Sequence, residues 1–239
     1  MLAPLGRFCF RTRDALLPAV LVALAAFSMT AQPLGGANVD RTLLFAGFTI
    51  ALGGQFLRAL VIGLVYIQRG GKHRRIHADT LVQDGLFAHC RNPLYIGNIF
   101  IQLGLLGVLN SPAGYALGVP FVLLVYGAIV TAEEEFLRGK FGAEYERYCA
   151  RVPRFRLRLA GLGSTLLSTA FEWRRLVRKE YGATAAWMSL ACGMLLWKWY
   201  RTADARAFLP PPRVVLLAWC LVGVAWASAR VLKKRGKLG

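Results

Sequence analysis

The sequence predicts an all-α, polytopic integral membrane protein, and three observations carry that reading. Of 239 residues 56% are apolar and only 18% charged, with a mean hydropathy of +0.46, which is too apolar for an ordinary soluble domain. The apolar residues gather in six runs, at 15–30, 43–67, 94–109, 113–132, 183–200 and 214–232. The basic residues fall mainly in alternate linkers between those runs. A disordered chain is excluded by the wealth of apolar surface. A secreted disulfide scaffold is excluded by five scattered cysteines, which show no metal-type pairing and read as reduced and structural.

Each run has its own justification. A bilayer core takes roughly 20 helical residues, with about 17 as a lower limit, so the second, fourth, fifth and sixth runs are long enough to span. The first and third are shorter. Each is joined to the next by a brief linker, and both read as helices buried among longer neighbours, for about six transmembrane helices in all. For the first run the alternative is a cleaved signal peptide, with Arg7 to Arg13 as its basic region and small residues at 28–31 as the cleavage site; the multi-span pattern downstream favours a retained helix.

The charges set the sides. Arg7, Arg11 and Arg13 precede the first run, Arg69, Lys72, Arg74 and Arg75 follow the second, a basic stretch runs from Arg138 to Lys179, and Lys233, Lys234, Arg235 and Lys237 close the chain. With six spans all four clusters share one side, and by the positive-inside tendency both termini are cytoplasmic. Arg201, Arg206 and Arg213, in the last outer linker, run against the pattern. Topology and anionic lipid account for the net charge of +18, so nucleic-acid binding is not invoked. The chain divides into a core at 1–160, whose motif-bearing part is 79–154, and a basic cytoplasmic linker with a C-terminal hairpin at 161–239.

Two polar stretches on the basic side are where chemistry is sought. In the first, residues 79–97, Gln83-Asp84-Gly85 reads as a turn, and Pro93 suits the first position of a helix, where its missing N–H is no loss. On that helix Arg91, Tyr95, Asn98 and Gln102 share one face and Gly97, Gly104 and Gly107 the opposite one. The glycine face permits close packing. The polar face lines a pocket at the cytoplasmic mouth or forms an interhelical hydrogen-bond stripe. In the second, residues 133–154, Leu137, Phe141, Tyr145 and Tyr148 repeat at helical spacing, which predicts an amphipathic cytoplasmic helix continuing from the fourth span to just before Pro153. Its opening triplet, Glu133-Glu134-Glu135, is either a ligand site for hydroxyl or ammonium donors, a partner for Arg91, or a solvated acidic patch. His73 and His77 have the i, i+4 spacing of a metal pair, but three histidines are too few for a membrane metal oxidase, and no metal is expected. Phosphate loops and nucleophile elbows are absent from the sequence.

Arg91-Asn-Pro-Leu-Tyr-Ile-Gly97 resembles the Arg-His-Pro-x-Tyr-x-Gly signature of the isoprenylcysteine carboxyl methyltransferase family, which is related to the phospholipid N-methyltransferases. Glu133-Glu134, Leu137, Phe141-Gly142, Tyr145, Tyr148 and Val152-Pro153 resemble that family's second motif at the expected distance. The resemblance covers about a third of the chain. It implies S-adenosylmethionine (SAM) bound at the cytoplasmic helix ends, held by Asp79, Thr80, Leu81 and Val82, by Phe87, by Asn92, Pro93, Leu94 and Tyr95, and by Glu133. It further implies a lipophilic small-molecule or lipid acceptor presented from the bilayer. Asn92, Asp79 and Phe87 depart from the His, His and Tyr of eukaryotic members. Ile129 stands where those members place an arginine for the substrate carboxylate, which leaves Arg91 and Arg154 as replacement anchors. A neutral amine acceptor would need a base for its proton, a role expected of Glu134 or Glu135.

Methyl transfer from a sulfonium needs positioning and desolvation more than acid-base help. The leading acceptors are a prenylcysteine-type carboxylate and a phospholipid amine. A non-catalytic membrane protein and a small transporter are the readings from other classes. Against the transporter, Arg58 is the main intramembrane charge and no inverted repeat is visible.

Overall fold

The computed structural model describes residues 2–28, 33–65, 76–201 and 203–238, and all regular structure among them is helical. In chain order these are α1 (Leu2–Phe27), α2 (Gly36–Leu64), a 3₁₀ turn (Gly85–Ala88), α3 (Pro93–Leu109), a π-helical turn (Gly114–Gly118) running into α4 (Val119–Phe141), α5 (Ala143–Arg151), α6 (Leu162–Ser168), α7 (Trp173–Arg201), a second 3₁₀ turn (Asp204–Ala207) and α8 (Pro212–Lys234).

Each of the six apolar runs lies largely within a helix. Among the described residues three helical segments are long and apolar enough to cross a membrane: Gly36–Leu64, Gly114–Phe141 and Pro212–Lys234. Two of the other apolar runs sit in helices that begin earlier than the runs themselves. α1 starts at Leu2 and so takes in Arg7, Arg11, Arg13 and Asp14. α7 starts at Trp173 and takes in Arg174, Arg175, Arg178, Lys179 and Glu180. α3, at 17 residues, is the short apolar helix. The cluster Arg69 to Arg75 and most of the supposed cleavage site lie outside the described residues.

Small residues set how closely the helices approach. A methyl group on Gly47 of α2 would lie 2.5 Å from the Gly104 carbonyl oxygen, and one on Gly54 would lie 2.5 Å from that of Gly97. α2 and α3 therefore meet backbone to backbone, antiparallel, at a separation that only glycine allows. Gly6 does the same for α1, lying directly against the Ala128 carbonyl of α4. α8 runs antiparallel to α7, with Lys233 stacked 5.4 Å from the Tyr181 ring centre. α1, α3 and α7 therefore begin, and α2, α4 and α8 end, at one end of the bundle, called here the basic end.

Two buried ion pairs fix α7 against α2. Near the basic end Arg58 grips Glu180 with both sides of its fork, at 3.0 and 2.7 Å, while its remaining terminal nitrogen donates to Asn98 of α3. At the far end Lys198 meets Asp40 at 2.5 Å and also donates to the Val108 carbonyl at 3.1 Å. Asn110, which ends α3 in the left-handed region, adds a hydrogen bond to Asp40 at 2.8 Å. Removing one partner from such a pair leaves a buried charge exposed to apolar surroundings, which typically costs about 3–5 kcal/mol.

The single amphipathic helix expected over 133–152 is two helices. Gly142, at φ 50° and ψ −123°, breaks it in a conformation that side-chain-bearing residues avoid. α5 folds back at this elbow, burying Tyr145 and Tyr148 against Leu81, Leu137, Phe141 and Val152. It ends as expected before Pro153. The following chain is strapped to the site: Arg91 N–H donates to the Pro153 carbonyl at 3.0 Å and Arg158 N–H to that of His89 at 2.9 Å. The His89 ring also contacts the Arg158 carbonyl and the Thr165 hydroxyl, each at 2.8 Å.

Candidate functional site

A cavity of about 600 Å³ opens at the basic end, enclosed by α1, α3, α4, α5, α7 and the segment 76–82. Its construction starts with the first motif. Gly85, at φ 57°, turns the chain beneath the Val65 side chain. The 3₁₀ turn then presents Phe87 to the cavity, and Tyr148 of α5 holds the Phe87 carbonyl at 2.8 Å. Burial pushes the Tyr145 and Tyr148 hydroxyls well above the usual phenol range, so both stay neutral donors. Asp79, Thr80, Leu81 and Val82 line the wall before this turn, with His77 bonded to Asp79 at 2.9 Å. His73, the other member of the supposed metal pair, lies outside the described residues.

The residues just before α3, Arg91 and Asn92, and then Leu94, Tyr95, Asn98 and Gln102 of α3 itself lie on the cavity wall. Pro93 is not on that wall; it occupies the first position of α3 and is buried there. The Gln102 side-chain oxygen is buried without a hydrogen-bond partner among the described residues. Such an acceptor beside a cavity suits a ligand N–H or O–H.

The acid triplet separates by the roughly 100° that successive helical residues turn. Glu133 faces the cavity and accepts from the Tyr95 hydroxyl at 2.6 Å. Glu134 turns toward the strap: Arg91 lies 3.4 Å and Arg154 3.1 Å from its oxygens, and Asn92 donates at 3.5 Å. Glu135 points outward to Arg7 at 3.6 Å, with both side chains more than half exposed. The three readings of the triplet thus divide among its members. Glu134 joins Arg91, as one reading had it, and its oxygens are already engaged. Of the two proposed anchors, Arg91 lines the cavity but also donates to Cys149 at 2.7 Å. Arg154 is off the wall, held by Glu134 and by the Thr131 hydroxyl at 2.9 Å. Ile129 is fully buried in the main apolar core and is not on the cavity wall.

Sequence reasoning missed two walls. α1 contributes Arg13, Asp14, Leu17 and Pro18; α7 contributes Lys179, Gly182, Ala183, Ala186, Trp187 and Leu190. Arg13 was read as one of a basic cluster beside the membrane. Its signal was nevertheless present: Ala3, Gly6, Phe10, Leu17, Leu21 and Leu24 form the buried stripe of α1, and residue 13 falls on that stripe, three after Phe10 and four before Leu17. The α7 wall had no comparable signal, because small residues and one tryptophan look like ordinary packing.

These features, a helical bundle with a Pro-initiated polar helix and an acidic helix end converging on one cavity, fit a class: residues 42–144 match the family model of the phospholipid methyltransferases. Two curated relatives make the likeness more particular. One is a cobalt-zinc-cadmium resistance protein of Cupriavidus metallidurans, 37% identical over 82 residues, which are 34% of this chain and 38% of that protein. The other is the protein-S-isoprenylcysteine O-methyltransferase of Schizosaccharomyces pombe, 31% identical over 115 residues, 44% of this chain and 47% of that enzyme. The similar segments thus span less than half the length of either relative. The family model covers both motifs up to Glu144, and neither α1 nor α7 falls within it. The resemblance read from the motifs is borne out by the family model and the fission-yeast relative. No solved structure matches this chain.

Proposed function

We propose that the protein is an integral membrane methyltransferase that uses SAM to methylate a lipophilic acceptor at the cytoplasmic face. The observation that carries this reading is the meeting of the two motifs on one cavity, where the Tyr95 hydroxyl of the first donates to the Glu133 carboxylate of the second at 2.6 Å. They are 38 residues apart in sequence and are joined by an apolar hairpin, so nothing local requires them to touch.

The residues present fit the cofactor. A cavity of about 600 Å³ is within the usual range for a ligand of this size. Its basic-end portion is polar, with Arg13, Tyr95, Glu133 and Asp79, and its inward portion is mainly apolar, with Leu17, Ile101, Leu105 and Leu190 beside the polar groups of Arg58, Asn98 and Gln102. When bound, SAM supplies an electrophilic methyl group on a sulfonium centre. Glu133 is placed to accept an ammonium donor, and Tyr95 holds that carboxylate in one orientation. Phe87 and the Asp79–Val82 segment offer an aromatic face and a polar edge to a nucleoside. Glu134 acts through others: by engaging Arg91, Asn92 and Arg154 it fixes the start of α3 against the strap. The walls from α1, α3, α4 and α7 position a ligand and shield its inward end, and positioning and desolvation are what a displacement by a weak nucleophile requires.

The acceptor enters the apolar inward portion. A lipophilic carboxylate is the leading class. A phospholipid or other small amine is the second, favoured by the open Gln102 oxygen, which suits an N–H donor. Incubating membranes that contain the protein with methyl-labelled SAM, then extracting lipids and treating them with base, tests both. Base-labile label reports an ester and stable label an N-methyl product. Absence of saturable SAM binding by the purified protein would overturn the reading.

A further inference from the structure

Resting on the methyltransferase reading, we infer that Arg13 of α1 is the carboxylate-binding residue of the cavity, supplied from outside the segment that resembles known methyltransferases. α1 buries a stripe of small and apolar side chains against α4, and at residue 13 that stripe is interrupted by a guanidinium. Burying this group is expensive unless it is hydrogen-bonded to something that stabilises its charge. Its side chain is 17% exposed, and the described residues give it little: one hydrogen bond, from Nη1 to the Tyr95 hydroxyl at 3.0 Å, and an approach of Nε to within 3.8 Å of Asp14, whose own side chain is 93% exposed. The Phe10 ring lies 4.2 Å from the guanidinium carbon and braces it. The other arginines of the cavity are committed, Arg58 to Glu180 and Asn98 and Arg91 to Cys149 and Glu134.

Arg13 and Glu133 reach the same Tyr95 hydroxyl, one donating to it and the other accepting from it. The cavity thus holds a cationic fork and a carboxylate side by side, bridged by one phenol. A guanidinium fork with open donors suits a carboxylate, and its neighbour Glu133 suits an ammonium. Two ligands can supply that carboxylate: the methionyl end of SAM, which carries an ammonium beside it, or a lipophilic acid as acceptor. In either case α1 contributes to binding.

The test uses the full-length protein in detergent and two pairs of probes. S-adenosylhomocysteine is compared with its decarboxylated counterpart, which keeps the amine. Dodecanoate is compared with its methyl ester. Wild type is expected to favour the carboxylate-bearing member of at least one pair by ~10- to 100-fold, the range for a hydrogen bond to a charged group. Arg13→Ala should abolish the preference in that pair, Arg13→Lys should keep part of it, and Arg7→Ala, at the exposed pair with Glu135, should leave it intact. The pair affected identifies the source. If Arg13→Ala does not fold, as thermal melting would show, Arg13→Gln replaces it. Preference retained without the guanidinium, or absent in wild type while S-adenosylhomocysteine still binds, overturns this inference alone. Wild type that binds none of the four probes overturns the methyltransferase reading with it.

Discussion

At the scale of single residues the site is organised by what each carboxylate of the triplet touches. Glu133 and Glu134 both line the cavity, but Glu134 is taken up by Arg91 and Arg154, so Glu133→Ala is expected to weaken SAM binding by about tenfold or more, as loss of a charge-assisted contact should. Titration calorimetry on the purified protein checks this, and equal affinity would remove Glu133 from the site. Tyr95→Phe keeps the ring and loses the bridge, and a smaller loss, of about three- to tenfold, is expected from the same titration. Ile129 teaches the converse. Grafting the arginine of eukaryotic enzymes here does not build an anchor, because the side chain is sealed in the main apolar core and does not reach the cavity. Ile129→Arg is expected to prevent folding, read as loss of monodisperse protein after detergent extraction. These assignments show what sequence made legible. Asn92, Tyr95, Glu133 and the 79–82 segment, which the motif resemblance singles out, come together on one cavity wall. The contacts of Glu134 were not legible, because in a run of three like residues only the helix register decides which faces inward. Arg13 was readable in principle, as the charged member of an apolar stripe, yet its neighbours Arg7 and Arg11 made it look like part of a solvated cluster.

At the scale of elements, glycine determines the distance between helices and the direction of one turn. Gly104→Ala would place a methyl group 2.4 Å from the Gly47 carbonyl oxygen and 2.7 Å from the Ala51 nitrogen, both backbone atoms that cannot rotate away. A loss of about 1–3 kcal/mol is expected, the usual range for overpacking, measured as a lowered melting temperature. Gly139→Ala, where an added Cβ meets nothing within 4 Å and the backbone is helical, is the control and should have little effect. The glycine face of α3 was visible in its spacing. The elbow at Gly142 was not: hydrophobic periodicity runs through it, since Leu137, Phe141, Tyr145 and Tyr148 bury on both sides of the break. Only the backbone conformation reveals that the second half turns back over the cavity.

At the scale of the whole molecule, the antiparallel pairings of α1 with α4, α2 with α3 and with α7, and α7 with α8 put the first and last residues of the bundle at one end. Single cysteines introduced at the exposed Leu2 and Lys237, in a background lacking the native five, are expected to react with a membrane-impermeant maleimide from the same side of sealed vesicles. Labelling from opposite sides would refute the topology. The six apolar runs were legible from hydropathy alone. The true starts of α1 and α7 were not, because their first turns are basic and only contacts across the bundle make them continuous with the apolar helix that follows.

The two ion pairs between α2 and α7 carry one more implication. Eighteen residues separate Asp40 from Arg58, and eighteen separate Glu180 from Lys198, about 27 Å along each helix. On α2 the acid comes first and the base second, and α7 follows the same order. Lying head to tail, each acid finds a base. Lying head to head, acid would oppose acid and base would oppose base, in a setting where repulsion is poorly screened. The chain therefore writes the direction of α7 against α2 twice, in electrostatic code, and the most polar of the long helices acquires a single berth.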